Sequence, residues 1–247
     1  MRTIRIHLDR PLSTGGEVNL PPQAAGHVAR VLRLRRGDPL VLFNGDGQDY
    51  ACELVEAGPR EVRARVLSKQ AAANGSPLRI TLAQALARGE KMDWIVQKAT
   101  ELGVVGIVPL VTERSEVKLD DARAGKRVEH WRGVAIGACE QCGRATIPSI
   151  DAPRPLEPWL ASSQAHGHAV RLVLHQGEES VRPRGLKLAT PCEVLLAVGP
   201  EGGFGERDLA AFRDAGFCSL SLGPRILRTE TAGLAAIAAL QALYGDL

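Results

Sequence analysis

The stretch VLLAVGPEGGFG at residues 194–205 decides the fold class of this chain. Its first five residues are all apolar, which is typical of a parallel strand buried on both faces. The glycines that follow allow a tight turn and let a ligand approach the backbone, and the helix that opens at Glu206 offers free N–H groups at its N-terminus. The stretch therefore predicts an α/β domain with a ligand site at the end of this strand.

A second glycine-marked strand end has the sequence SLGPR at residues 221–225. Because α/β proteins bind ligands where neighbouring parallel strands end, we predict that the two glycine-marked turns lie side by side. The first turn has neither the Gly-Lys-Ser/Thr of a P-loop nor the GxGxxG of a dinucleotide site, and it follows a late strand. Ordinary nucleotide P-loops, Rossmann NAD sites and the usual first-strand methyltransferase loop are therefore disfavoured.

The rest of the C-terminal two thirds alternates between strand and helix patterns. The hydrophobic periodicity predicts strands over 78–84, 104–110, 169–174 and 218–222, and helices over 91–102, 125–142, 206–215 and 230–243. The last helix is apolar almost all round, which predicts burial in the core or in a subunit interface.

The first third of the chain is β-rich instead. Alternation predicts strands over 4–8, 39–43, 48–56 and 61–67, with a hairpin turn at Asn44-Gly45-Asp46-Gly47 and a helix from Pro22 to about Leu34. Residues 70–77 are small, polar and turn-rich, which is typical of a linker. We therefore predict two domains, 1–72 and 73–247.

Charge is unevenly distributed along the 247 residues. The formal net charge is +3, and residues 1–73 carry all of this excess, with 11 basic and 8 acidic side chains. Arg30, Arg33, Arg35 and Arg36 lie within seven residues of one another. They are either the solvated face of a surface helix or contacts to phosphate, and 25 arginines against six lysines could also reflect a GC-rich genome.

Several other classes of site and location are disfavoured. The five cysteines are odd in number and scattered, which favours a reducing cytoplasm, and the Cys139/Cys142 pair lies inside a predicted helix, where a structural role is favoured. The longest apolar stretch, 232–240, is too short to cross a bilayer. HExxH, GxSxG and DxDxDG motifs do not occur, so neither a metal site nor a serine hydrolase is indicated.

Six strings of the sequence closely resemble one family, the bacterial 16S ribosomal RNA uridine N3-methyltransferases of the SPOUT class. They are HVARVLRLRRGD (27–38), RGEKMDWIVQKATELGV (88–104), PLVTERS (109–115), EQCGR (140–144), VGPEGGFGERDL (198–209) and LGPRILRTETAGLAAIAAL (222–240). The resemblance covers nearly the whole chain. It implies an α/β protein with an N-terminal PUA-like RNA-binding β-barrel and a C-terminal SPOUT domain that contains a trefoil knot. It also implies a homodimer that acts on 16S rRNA in the 30S subunit.

The resemblance further implies that S-adenosylmethionine binds among three strand-end loops, without a metal. The residues carried over are Leu174, His175, Gly199, Pro200, Glu201, Gly202, Leu222, Gly223, Ile226, Leu227, Arg228, Thr231 and Ala232. Methylation at uracil N3 needs a group that accepts the N3 proton or a cation that stabilises negative charge on the uracil oxygens. The ionisable candidates in the ligand loops are Glu201, Arg225, Arg228 and Glu230, with Arg228 as the main contributor, contacting uracil oxygen or RNA phosphate, and Glu201 as the base. The alternative is that Arg228 forms a structural ion pair with Glu201 or Glu230. A SPOUT enzyme acting on transfer RNA and a non-catalytic RNA-binding protein remain alternatives for the whole chain.

Overall fold

The computed structural model describes residues 4–58, 61–72, 75–116, 121–162, 165, 167–177 and 179–247, with residues 121–123 described through their backbone alone. The chain divides into two compact units: the first unit comprises Met1–Asn74 and Cys139–Ile147, and the second comprises Gly75–Ala138 and Pro148–Leu247. The predicted domain boundary at 72/73 adjoins residues 73 and 74, which lie outside the described residues.

The first unit is built on one five-stranded sheet. Its strands are β1 (Arg5–His7), β2 (Glu17–Asn19), β3 (Pro39–Phe43), β4 (Gln48–Ala57) and β5 (Val62–Ala71). Their order is β1-β3-β4-β5-β2, and the sheet is curled into a half-barrel. The predicted hairpin is confirmed: β3 pairs antiparallel with β4, and Gly45 and Gly47 adopt φ values of +92° and +83° in the turn. Such values favour glycine.

The predicted helix from Pro22 to Leu34 is shorter than expected. Helix α1 (Pro22–Gly26) leads into a π-helical turn (His27–Val31), and the backbone then reaches φ +54° at Arg33. A right-handed helix cannot continue through a residue with this φ, so the helical segment ends before Leu34. The short strand β2 was not predicted, because three residues are too few to show periodicity.

The second unit is a parallel sheet flanked by helices. Its strands are β6 (Leu78–Ala85), β7 (Gly106–Val111), β8 (Ser149–Ile150), β9 (Arg154–Pro155), β10 (Val170–Leu174), β11 (Cys192–Val198) and β12 (Cys218–Leu220). Its helices are α2 (Lys91–Glu101), α3 (Asp121–Cys142, whose last four residues belong to the first unit), α4 (Leu156–Leu160), α5 (Glu206–Asp214), α6 (Thr229–Tyr244) and a 3-10 turn (Pro183–Gly185). All long predicted elements are confirmed, whereas β8, β9 and α4 were not predicted.

The strand order places three strand ends next to one another. The order is β12-β10-β11-β6-β7-β8, with β9 paired to β7. Strand β11 is buried on both faces, as its apolar run predicts. The prediction that the two glycine-marked turns are immediate neighbours is wrong, because β10 lies between β11 and β12 and pairs with both. The end of β10 therefore enters the space between the two turns.

Helix α6 divides its apolar surface between the core and the outside of the chain. Ala236, Ile237 and Leu240 are fully buried, whereas Leu243 is 42% exposed. The predicted burial in the core is therefore confirmed for one face of this helix, and the subunit interface stays a prediction. Within the described part of the chain, no helix combines the length and the apolar character that a membrane crossing needs.

Candidate functional site

A cleft of about 360 Å³ opens at the carboxyl ends of β10, β11 and β12. Ten of the predicted site residues line it: Leu174, His175, Gly199, Pro200, Glu201, Leu222, Arg225, Ile226, Leu227 and Ala232. The cleft is lined by eight further residues that were not among the predicted site residues: Arg114, Gln176, Val198, Gly203, Phe204, Leu220, Ser221 and Thr229. Val198, Gly203, Phe204 and Ser221 belong to the two strand ends that the sequence predicted as ligand turns, whereas no signal in the sequence marked the other four as lining residues. The cleft is of the size that holds a small organic ligand, and its walls combine apolar side chains with exposed backbone.

Four predicted residues lie beside the cleft and do not line it. They are Gly202, Gly223, Arg228 and Thr231. Gly202 is exposed, and its carbonyl accepts a hydrogen bond from the guanidinium of Arg114 at 3.0 Å. Arg228 is exposed at the N-cap of α6, and no ion pair is found for it among the described residues. Its guanidinium is therefore available to a ligand outside the cleft.

The glycine-rich turn after β11 is closely packed against itself. A Cβ atom on Gly199 would lie 3.2 Å from Cα and C of Gly203 and from the backbone nitrogen of Phe204. Gly203 has φ +67°, which favours glycine. The ring of Phe204 meets that of Phe212 on α5 edge-on, with 4.9 Å between the centroids. The turn is therefore anchored in the core on one side and leaves its backbone open to the cleft on the other.

A buried polar network fixes this turn to the start of α6. The side chain of Gln84, at the end of β6, is fully buried and donates from Nε2 to Oγ1 of Thr229 at 3.0 Å. The Thr229 hydroxyl donates in turn to the carbonyl of Gly199 at 2.6 Å. Because buried polar groups need partners, this chain of hydrogen bonds holds the Gly199 peptide in one orientation. A glutamine at the end of the apolar strand 78–85 was the available sequence signal.

Gln176 holds the loop after β12. Its Nε2 atom donates to the carbonyls of Gly223 and Arg225, both at 3.0 Å. The loop otherwise exposes Ile226 almost completely, at 92%. Gln176 follows β10, so the strand that separates the two turns also supplies the side chain that positions one of them.

Glu201 is held by a cation that the sequence did not reveal. Its Oε1 atom accepts from Lys91 Nζ at 2.9 Å and from the backbone N–H of Arg88 at 3.0 Å. Partial burial alone would raise the pKa of Glu201, but the hydrogen bonds from Lys91 and Arg88 outweigh it and lower the pKa below its usual value. The alternative that Arg228 forms an ion pair with Glu201 or Glu230 is wrong. Lys91, and not Arg228, is the cation that contacts both carboxylates.

The arginine cluster of the first unit is free of local ion pairs. Arg30, Arg33, Arg35 and Arg36 are exposed, and no salt bridge involves them within the described residues. Three other arginines of this unit are paired: Arg5 with Asp49, Arg63 with Glu17 and Glu56, and Arg65 with Glu17. Among the described residues the four guanidinium groups therefore take part in no ion pair, which suits an anion-binding surface.

The cysteines do not form a reactive pair. All five are free thiols. Burial raises the pKa of Cys139 to about 12, so this thiol is protonated at neutral pH and is a poor nucleophile. Among the described residues, no group of three or more His, Cys, Asp or Glu side chains could hold a metal ion.

Two family models match the chain. Residues 74–241 match an RNA methyltransferase domain, and residues 20–67 match an RNA methyltransferase PUA domain. The sequence is 34% identical to Ribosomal RNA small subunit methyltransferase E of Buchnera aphidicola from Schizaphis graminum, across 100% of this chain and 98% of the relative. It is 33% identical to the protein of the same name from Bacillus subtilis, across 94% and 91% of the two chains.

Solved structures resemble the whole chain as well. The protein Lpg2936 of Legionella pneumophila, in complex with the bound cofactor SAM, superposes with a TM-score of 0.93 at 40% identity, and the match covers 100% of both chains. Ribosomal RNA small subunit methyltransferase E of Neisseria gonorrhoeae, bound to S-adenosyl methionine, gives a TM-score of 0.89 at 36% identity over 99% of both chains.

Proposed function

The chain belongs to the RNA methyltransferase family, and we propose that it transfers the methyl group of S-adenosylmethionine to N3 of one uridine in 16S rRNA of the small ribosomal subunit. The observation that carries this proposal is the cleft where β10, β11 and β12 end, in a chain that resembles solved methyltransferases with bound S-adenosylmethionine along its full length. The test is methyl transfer to 30S subunits, with transfer RNA as the competing substrate.

The residues of the cleft fit this donor. Leu174, Leu222, Ile226 and Leu227 provide apolar contacts on the loops after β10 and β12. The turn from Gly199 to Gly203 offers backbone groups that a purine and a ribose can approach closely. When bound, S-adenosylmethionine supplies an electrophilic methyl group on a sulfonium whose leaving group departs neutral, so the chemistry requires no metal.

The proton on uracil N3 must leave as the nitrogen attacks the methyl group. Loss of this proton leaves a negative charge that N3 shares with the two uracil oxygens until the methyl group is transferred, and a cation near those oxygens stabilises it. We assign this role to Arg228, which is exposed beside the cleft, with Arg225 on the cleft wall as the second cation. Glu201 is a weaker base than an ordinary carboxylate because its pKa is lowered, so we propose that it holds the turn and that the proton passes to solvent.

The arginine cluster of the first unit is proposed to bind RNA phosphate. If all four side chains contact phosphate, the slope of log K against log salt should include about −3 from this cluster, at roughly 0.7 for each contact. Replacing Arg30, Arg33, Arg35 and Arg36 together with alanine should remove that part of the slope in a salt titration of binding to 16S rRNA. Arg79→Ala, which removes an exposed arginine paired with Glu193, is the matched control. An unchanged slope in the fourfold variant would exclude the cluster from the interface.

A homodimer is proposed on the exposed face of α6. Leu243→Glu should shift the molar mass measured by light scattering from that of a dimer to that of a monomer. The fold of each chain should stay intact, because the Leu243 side chain is 42% exposed in the single chain. Ala236→Glu places a charge in the core and should cost about 3 kcal/mol of folding stability or more. A charge introduced at Leu240 should lower folding stability in the same way, because this side chain is also fully buried. A dimeric Leu243→Glu protein would move the interface elsewhere.

The cellular setting follows from the proposed substrate. Small ribosomal subunits are assembled in the cytoplasm, and five free thiols suit its reducing conditions. The trefoil knot implied by the family resemblance stays a prediction.

A further inference from the structure

Lys91 connects two carboxylates on different elements that border the donor cleft, the turn after β11 and the start of α6. Its Nζ atom lies 2.9 Å from Oε1 of Glu201, in the turn after β11, and 3.6 Å from Oε2 of Glu230, in the first turn of α6. Glu201 itself lines the cleft, and Glu230 follows directly on Thr229, which also lines it. Lys91 is the first residue of α2, a helix that contributes no lining residue.

Lys91, Glu201 and Glu230 together carry one positive and two negative charges. Two carboxylates meet at one ammonium, and since both distances end on the same nitrogen, the carboxylates are close neighbours. Oε2 of Glu230 is buried and accepts no hydrogen bond among the described residues. Without the ammonium, Glu201 and Glu230 would repel each other across the junction between the turn and α6.

We propose that Lys91 is a positioning residue for donor binding, which holds the Gly199–Gly203 turn against the start of α6 by neutralising the repulsion between Glu201 and Glu230. This inference rests on the proposed donor site. Lys91 acts through the two carboxylates and does not touch the donor. The buried hydrogen bonds from Gln84 to Thr229 and from Thr229 to Gly199 connect the same two elements, so Lys91 adds an electrostatic interaction to neutral hydrogen bonds.

The first test is Lys91→Met, which keeps the length of the stem and removes the charge. Because Lys91 and Glu201 are each about one third exposed, we expect the dissociation constant of S-adenosylmethionine to rise about fivefold, near the upper end of what an exposed ion pair contributes. The kcat at saturating donor should change by less than about twofold, since the turn acts on binding and not on the reacting atoms. Titration calorimetry and initial rates with 30S subunits measure the two quantities.

Two further variants separate positioning by charge from simple packing. Lys91→Arg should restore donor affinity because it restores the cation. Lys91→Met combined with Glu230→Gln should also restore it, because one carboxylate no longer faces another. Lys91→Arg would also restore the packing of the stem, so the double variant is the one that separates the two explanations, because it leaves Met at position 91 and removes only the repulsion. Lys98→Met is the control, since Lys98 lies on the same helix and pairs with Glu101 at 2.9 Å, with similar exposure, away from the cleft.

The outcomes also distinguish this inference from the proposed function. Wild-type protein that binds the donor, together with a Lys91→Met variant of unchanged affinity, would overturn the role of Lys91 and leave the donor site intact. Weakened binding that neither Lys91→Arg nor the double variant restores would overturn it equally. Wild-type protein that binds no S-adenosylmethionine would overturn the donor site itself, and with it the role of Lys91.

Discussion

Arg228→Ala is expected to lower the rate of methyl transfer to 30S subunits by about a hundredfold or more, the loss typical of removing one group that stabilises developing negative charge. Donor binding should be unchanged, because Arg228 is exposed at the N-cap of α6 and does not line the cleft. Single-turnover rates and calorimetry with S-adenosylmethionine measure the two effects separately.

Three further variants test whether the effect is specific to the guanidinium of Arg228. Arg228→Lys keeps the charge but loses the planar fork of the guanidinium, so it should recover part of the rate. Arg225→Ala should weaken donor binding as well, since Arg225 lies on the cleft wall. Arg213→Ala removes an exposed arginine from α5 and controls for net charge. A normal rate in Arg228→Ala would show that another residue, or proximity alone, carries the chemistry.

Gly199→Val is expected to abolish donor binding, with a dissociation constant raised at least about a hundredfold, or about 2.7 kcal/mol. A Cβ on Gly199 already lies 3.2 Å from backbone atoms of Gly203 and Phe204, which cannot turn aside as a side chain can. The added methyl groups would therefore displace the turn or fill the cleft that it lines. Calorimetry measures the affinity, and circular dichroism reports whether the protein remains folded.

Gly202→Ala is the control for this substitution. Its Cβ would lie 3.4 Å from Cβ of Arg114, an ordinary contact, and Gly202 does not line the cleft. We therefore expect donor affinity close to that of the wild type. Normal affinity in a folded Gly199→Val protein would contradict the assignment of the donor site to this turn.

The sequence predicted those parts of the site that depend on local pattern. The apolar run before Gly199 and the helix after it are consecutive in the chain, so hydrophobic periodicity and glycine spacing were enough to place the turn at a strand end. The strand order was not accessible in this way, because nothing local in residues 170–174 indicates that they pair between β11 and β12.

Two residues that support the site and that were not predicted, Lys91 and Gln84, come from distant parts of the chain. Lys91 is 110 positions from Glu201, and Gln84 is 145 positions from Thr229. In the sequence, Lys91 looks like an exposed residue at the start of a helix, and Gln84 looks like an interruption in a buried strand. Their partners become evident only when β6 and β11 pair side by side. The early end of the helical segment near Arg33 also escaped prediction, because arginine rarely adopts a positive φ.

The most direct test of the central claim is mass mapping of 16S rRNA from a strain that lacks this protein, before and after its 30S subunits are incubated with the purified protein and S-adenosylmethionine. We expect that one uridine in the untreated RNA lacks a methyl group and gains one at N3 on incubation, and that Arg228→Ala protein transfers little. Full methylation of 16S rRNA in the deletion strain, together with transfer to transfer RNA or to no RNA at all, would contradict the account.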